Sequence, residues 1–251
     1  MKKHARITGS SSVQLLFFLI AVISSAIVSA VETPEEPTSA PPAKDAAPEP
    51  TWYAMALGQL AGRPVVGHFW SKGPRLRAET VIFGRPILTL VDKKYYYTID
   101  VMDGTGLAIQ RSPVSIAEDA GRTRPFAIEW DEMSDAGGEK VRSEKIGSQE
   151  TEVWRLTNVS GRRTIWVSPQ APRLVMRVET YDRDSSGTEG VEYLNWQYGL
   201  AIPDEFFQPG PGIRIRRMEY GKYVAAARKG PVGPAPPLYR YLLHGRKKPS
   251  Q

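Results

Sequence analysis

The sequence predicts a mainly antiparallel β domain, curled around its own core, behind an export signal. Three observations carry that expectation. From Val65 onward the apolar residues recur at every second position in about ten short runs. Gly, Pro, Asn, Asp or Ser separates each run from the next, and only two or three stretches have helical spacing.

The first thirty residues read as a cleaved secretory signal. Lys2, Lys3 and Arg6 give a basic start, Val13 to Val28 is apolar apart from Gln14, Ser24 and Ser25, and Val28-Ser29-Ala30 supplies the small residues of a cleavage site. The alternative is an uncleaved anchor, for which the run is short against the roughly 20 apolar residues of a spanning helix. Later apolar runs are broken by Gly, Pro or charge. Residues 31–50 are rich in Pro, Ala, Glu and Thr with little to bury and read as a flexible tether.

Trp52, Met55, Ala56 and Leu60 stand at helical spacing, so one short helix is expected there. Period two follows in Val65–Trp70, Leu76–Ile82, Ile87–Val91, Lys94–Val101 and Gly106–Gln110, with Asp103-Gly104 suited to the tight turn between the last two. Ser112–Ala120 and Pro125–Met133 read as short helices, the first with Ser115-x-x-Glu118 in a capping pattern and the second with Pro125 near its start. A second strand group comprises Val141–Ile146, Gln149–Thr157, Arg163–Val167, Leu174–Asp182 and Thr188–Trp196. Ile213–Tyr220 adds a strand whose Arg214, Arg216 and Arg217 suggest a wet edge. Beyond it, Gly230 to Pro237 is an extended linker, Leu238–Leu243 is a clasp able to dock on the body, and Arg246 to Gln251 is a frayed end. The expected organisation is therefore a signal (1–30), a tether (31–50), a β domain (51–220) and a basic, Pro-rich extension (221–251).

Composition excludes several functions. The chain has no cysteine, which removes disulfides, thiolate metal sites and a lipidated cysteine. Its formal charge of +6 is unevenly placed: residues 51–220 carry 22 basic and 22 acidic side chains, whereas residues 221–251 carry seven basic and no acidic ones. A neutral body argues against nucleic acid as a partner. Beyond residue 30 there are two histidines, His68 and His244, and no motif of a metalloprotease, serine hydrolase, phosphate loop or dinucleotide site. His68 beside Phe69 and Trp70 reads as a rim residue. Asp131 with Glu132, and Asp182 with Asp184, read as solvated acids; the second pair lacks the glycine and distal glutamate of a calcium loop. Asn158-Val159-Ser160 reads as a turn before Gly161. No catalytic residue, metal or cofactor is expected.

The aromatics are the informative class. Tyr95 and Tyr97 share a strand face and Tyr96 takes the other. Together with Trp154, Trp166, Met176, Tyr193 and Trp196 they form either an ordinary sheet core or the lining of a hydrophobic cavity. In the extension, Lys222, Arg228, Lys229, Arg246, Lys247 and Lys248 are either a solvated end or a contact for an anionic surface or an acidic partner.

Trp70-Ser71-Lys72-Gly73-Pro74-Arg75-Leu76-Arg77-Ala78-Glu79-Thr80 resembles the second-strand region of the periplasmic lipoprotein-carrier (LolA-like) and outer-membrane lipoprotein-sorting family, Arg75, Arg77 and Glu79 filling its basic-x-Arg-x-Glu pattern. Thr164 to Ser168 resembles that family's Trp-x-Ser strand, and Pro172 to Val178 the Pro-containing strand after it. Val191–Trp196 leading to Pro203-Asp204-Glu205-Phe206-Phe207 resembles its closing Pro-x-x-Phe element. The resemblance spans residues 52–220. It implies an incomplete, curled half-barrel with short helices over its mouth, residues 112–133 as lid, and a hydrophobic cavity for a lipid or lipoprotein acyl chain. By the same resemblance the protein acts without catalysis, in periplasmic transport for outer-membrane biogenesis. Two departures stand out: the region before Trp70 is too short for the family's opening helix, and the extension after Tyr220 is additional. Arg85, Arg111 and Arg124 each remain open as a cavity arginine holding the lid. A structural module that engages an envelope protein or anionic surface through its sheet edge or basic tail is the alternative.

Overall fold

The computed structural model describes residues 49–60, 63–184 and 187–246. The expected signal, the tether up to residue 48, and Lys247 and Lys248 lie outside the described residues.

Alternation of apolar and polar residues produces twelve strands: β1 (Thr51–Leu60), β2 (Arg63–Lys72), β3 (Arg75–Ile82), β4 (Arg85–Val91), β5 (Tyr95–Asp100), β6 (Thr105–Gln110), β7 (Glu139–Ile146), β8 (Gln149–Asn158), β9 (Gly161–Val167), β10 (Val175–Asp182), β11 (Gly187–Tyr198) and β12 (Arg214–Met218). They form one sheet in the order β12-β6-β5-β4-β3-β2-β1-β11-β10-β9-β8-β7. Every pairing is antiparallel except β12 with β6. The two outermost strands, β12 and β7, do not pair with each other, so the barrel is incomplete.

The expected helix at Trp52–Leu60 is corrected to strand β1. It pairs residue for residue with β2 on one side and with β11 on the other. Trp52, Ala54 and Ala56 turn to the inner face, and the helical spacing of Met55 and Leu60 is coincidental. Two ladders outweigh a weak local propensity.

The inner face carries one hydrophobic cluster reaching from Leu107 and Ile109 on β6 to Ile165 on β9. Across a flat sheet those strands would lie about 38 Å apart. A single cluster requires the sheet to curl and something to fill the hollow. Four short helices and an extended segment do so: α1 (Pro113–Glu118), α2 (Glu129–Asp135), α3 (Tyr220–Ala227) and α4 (Arg240–His244). Ser112, not Ser115, caps α1, its Oγ accepting from the Ser115 N–H at 3.0 Å, with Pro113 in the first turn. The second helix starts at Glu129 rather than Pro125, because Phe126, Ala127 and Ile128 are buried in an irregular stretch with Ala127 at φ 49°. Helix α3 lies where only a tail was expected, its Tyr223 buried in the main cluster.

The decisive element is the segment 232–244, here termed the strap. It runs across β3 to β6 on the inner face. The Tyr239 N–H donates to Tyr96 Oη (3.1 Å), Thr98 Oγ1 donates to the Ala235 carbonyl (3.1 Å), and Tyr239 Oη lies 3.2 Å from Thr80 Oγ1. Leu242 and Leu243 are fully buried. Gly233, at φ 86°, lets the strap approach Leu107 where a Cβ would come within 2.9 Å of that side chain.

Candidate functional site

The strap fills the β3–β6 half of the inner face and leaves the other half open. The strap is anchored by Arg111, fully buried, whose guanidinium donates to the carbonyls of Leu242 (2.7 Å), Asp92 (2.8 Å) and Ser115 (3.2 Å) and to both oxygens of Asp119 (2.6 and 3.0 Å). The Ser112 N–H donates to the Leu243 carbonyl and Ser112 Oγ to that of His244. One cation thus ties the β4–β5 turn, α1 and α4 together.

The open half is a groove of about 620 Å³, floored by β1, β2, β10 and β11 and roofed by α2 with Leu238, Tyr239 and Tyr241 of the strap. Its walls are apolar at Ala56, Phe69, Ile128, Val178 and Val191 and polar at Gln59, Thr80, Thr180 and Glu189, and Gly58 and Gly67 leave part of the floor without side chains. A second hollow of about 670 Å³ shares Glu132, Arg163, Thr180 and Tyr241 with it. Among the shared residues Arg163 Nη1 stands 2.8 Å from Glu132 Oε2, and the second hollow is mainly polar, lined by Glu118, Asp135, Asn158 and Arg162 among others. Volumes of roughly 300–1,000 Å³ are usual for small-ligand sites.

Two ionisable groups sit under the roof. The Glu129 carboxyl accepts from the Tyr193 hydroxyl at 3.0 Å, and its other oxygen is buried without a partner. Burial, the dominant cause, pushes this carboxyl above its ordinary value. Arg124 lies 5.4 Å from the Trp52 ring centre and 5.1 Å from that of Trp196, and donates to the carbonyls of Ala127 and Arg173. Burial lowers its pKa, opposed by the charges of Asp131 and Glu129. Of the three candidate arginines, Arg111 joins α1 and α4 to the β4–β5 turn, and Arg124 joins the stretch before α2 to Trp52 and Trp196 of the sheet. Arg85 instead joins two hairpin tips through Asp100 (2.5 Å) and Asp103.

The structure divides the aromatics that the sequence singled out. Trp154, Tyr193 and Trp196 reach the inner cluster: Trp154 meets Trp130 edge-on at 5.0 Å, and Trp196 stacks on Phe126 at 5.6 Å. Tyr95 and Tyr97 belong to a separate outer-face cluster with Leu88, Leu90, Ile99, Ile213 and Ile215. Tyr96 is the member of that run which faces inward. Trp166 shares the outer face with Val153 and Arg177 by register, its indole donating to Glu144. Met176 sits at the register shift of β10, half-buried, and joins neither cluster.

Arg75, Arg77 and Glu79 also lie on the outer face, away from the groove. Arg75 pairs with Asp204 (3.1 Å) and Glu49 (2.5 Å), Arg77 donates to the Phe206 carbonyl (3.0 Å), and Glu79 accepts from Arg77 (2.8 Å). The arginines fasten the Asp204–Phe207 turn over β2 and β3, with Arg77 4.4 Å from the Phe206 ring centre. His68 is half-buried beside Tyr53, its Nδ1 3.0 Å from the hydroxyl. Asn158 makes the turn before Gly161, its Oδ1 accepting two backbone N–H groups.

In the extension, Lys222 is exposed and 3.1 Å from Glu219, Arg228 and Lys229 are exposed, and the Arg246 N–H donates to Glu118. Among the described residues no three His, Asp or Glu side chains cluster as metal ligands, and no helix is long and apolar enough to cross a membrane. Leu238–Leu243 docks on the body as the sequence led one to expect, but sequence reasoning missed its course over β3 to β6 and missed Glu129. The clustered Tyr239, Tyr241, Leu242 and Leu243 were the available signal for the first; Glu129 had none, because its burial depends on β11 across the sheet.

No family model and no curated protein matches the sequence. Solved structures overlap it in part. An uncharacterized conserved protein of Thermus thermophilus is 7% identical with a TM-score of 0.49, over 67% of this chain and 90% of that one. The MucA/MucB complex of Pseudomonas aeruginosa gives 9% and 0.42, over 67% of this chain and 59% of that one, so this chain spans less than two thirds of it. A domain of Vibrio parahaemolyticus assigned to outer-membrane lipoprotein sorting gives 10% and 0.34, over 68% and 93%.

Proposed function

We propose that this protein is a non-enzymatic binding protein of the bacterial envelope that holds a lipid or lipoprotein acyl chain in the groove between α2, the strap and strands β1, β2, β10 and β11. The observation that carries the reading is the groove itself: about 620 Å³, with apolar walls at Ala56, Phe69, Ile128, Val178 and Val191. Each methylene buried there contributes about 0.8 kcal/mol, so affinity grows with chain length and needs no charged anchor. Tyr193 and Trp196 support the roof, and Trp154 supports α2 through Trp130. Tyr95, Tyr97 and Trp166 take no part. Export by a cleaved signal and release into the periplasm complete the reading and rest on the sequence of residues 1–30.

The test is to produce the full gene in a Gram-negative host, purify the periplasmic product without detergent, and compare native with denaturing mass spectrometry. Lipid released only on denaturation, and lost from a Val191→Trp variant of unchanged circular dichroism, supports the reading. A bare protein that takes up no added phospholipid or acylated peptide refutes it. A broad hydrolase and transferase panel on the same preparation checks the absence of catalysis.

A further inference from the structure

The two edges of the open sheet differ in a way that bears on partners. An unpaired edge offers main-chain donors and acceptors to any extended chain, and proteins guard such edges with charge, bulges or brevity. Strand β7 is guarded. Its Lys140 pairs with Glu152 (2.8 Å), Arg142 with Glu144 (2.6 Å) and Lys145 with Glu150 (3.1 Å), and its register shifts between Lys140 and Arg142. Signs are mixed and mutually satisfied, so neither an acidic nor a basic strand gains by adding there.

Strand β12 is different. The Arg214 N–H donates to the Gly104 carbonyl at 2.9 Å, which fixes the phase of its parallel ladder with β6. Arg214, Arg216 and Met218 turn their main chain toward β6, and Ile215 and Arg217 turn theirs to the outside. Arg214, Arg216 and Arg217 are all exposed, and among the described residues none forms an ion pair. Three unpaired guanidiniums of one sign thus flank a row of free backbone groups. The contrast matters because most charged side chains along the rest of the sheet have partners, including Arg75, Arg77, Arg163 and Arg177.

We infer that the free edge of β12 accepts an extended, acidic segment of a partner protein as an added strand, the backbone supplying the pairing and the arginines the preference for carboxylates. The inference is independent of the groove, which lies on the other side of the strap.

The full chain is titrated into a short fluorescent peptide alternating Glu and Val, and anisotropy is followed at several salt concentrations. Binding that weakens with salt, and that exceeds binding of a Lys and Val peptide by at least about tenfold, is expected. Arg217→Pro is the discriminating variant. Proline is tolerated on an edge whose N–H faces solvent, so the fold persists by circular dichroism, whereas the outward donor is gone. Arg217→Ser removes the charge alone and should weaken binding by no more than about fivefold. Arg217→Pro should weaken it by about a further tenfold. In the parent chain, the Ile215 and Arg217 amides should exchange more slowly when peptide is bound. Equal effects of the two variants, or equal binding of the Lys peptide, overturn strand addition. Phosphatidylglycerol vesicles that displace the peptide and bind both variants alike assign the arginines to a lipid surface instead. Peptide binding seen only after deletion of residues 31–46 assigns the edge to the chain's own acidic segment, and likewise overturns a partner.

Discussion

Replacing Arg111 by Met strips five hydrogen bonds from the junction of strap, α1 and the β4–β5 turn. The apolar part of the side chain is conserved, so the cost is electrostatic. Breaking a buried ion pair from one side costs about 3–5 kcal/mol, because the remaining charge is stranded. Here Asp119 keeps the guanidinium of Arg122 at 3.0 Å, which moves the cost toward the lower bound. Against that, the carbonyls of Leu242, Ser115 and Asp92 lose a donor, and a buried orphan costs about 1–3 kcal/mol. These contributions overlap, and a net loss of about 3–5 kcal/mol is expected from a total that for domains of this kind is about 5–15 kcal/mol. Urea titration followed by tryptophan fluorescence gives the loss, and amide exchange at Leu242 and Leu243 shows whether the strap opens before the sheet. Asp119→Asn in the Arg111→Met background should recover part of the stability. A loss below about 1 kcal/mol, or strap amides that exchange only with global unfolding, would refute the reasoning that Arg111 holds the strap.

Val191→Trp fills the groove from a half-buried position and should abolish lipid retention while changing stability by no more than about 1 kcal/mol, read by mass spectrometry and thermal melting. Glu129 titrates above its ordinary 4.5 in the folded protein, so the folded state holds its proton longer than the unfolded chain. Stability is then intact below pH 4.5 and declines as pH rises from there toward the folded value; Glu129→Gln, which keeps an acceptor for Tyr193, should abolish that decline in denaturation midpoints taken across the range. Glu152 is the opposite case, held at about 2 by Lys140, Arg173 and the Trp154 indole. Its contribution is present above 4.5 and fades as pH falls toward 2, so Glu152→Gln should flatten the acid limb of the same profile. Gly161→Ala should destabilise by at least about 2 kcal/mol in urea titration, since φ is 156° and the new Cβ would stand 2.0 Å from the Tyr181 carbonyl oxygen.

Strand positions were legible where side-chain alternation is strong, as in Leu76, Ala78 and Thr80 against Arg77 and Glu79. After Trp52 the inward residues of β1, Ala54, Ala56 and Gly58, are small, so period two is faint and Met55 supplied a false helical spacing. The parity of Tyr95, Tyr96 and Tyr97 is read correctly from the sequence, but which face meets the main core is set by the distant strap and by Ile213 and Ile215. The same holds for Arg75 and Arg77. Their pattern marks a strand, yet their task of clamping the Asp204–Phe207 turn emerges only once residues about 130 positions away fold over them. Helix α3 was missed because Gly221 and the surrounding basic residues masked the helical run Val224 to Ala227. Of the groove's walls, the sequence pointed to a helix near Glu129 and to Leu238–Leu243 as a docking clasp, whereas the course of Val232 to Pro237 across β5 and β6 is hidden behind its reading as a linker.

The strap also dictates when folding can finish. Its hydrogen bonds join residues 132, 137 and 159 positions apart, and it is the last of the described core elements to be synthesised. Until it arrives, the inner faces of β3 to β6 lack the cover that Tyr239, Leu242 and Leu243 give Tyr96 and its neighbours, and the curl is only partly filled. Contacts of such long range form slowly and leave apolar surface exposed meanwhile. A nascent chain that cannot complete its core before its final segment emerges stays loose for most of its synthesis, and its fold locks only at the end.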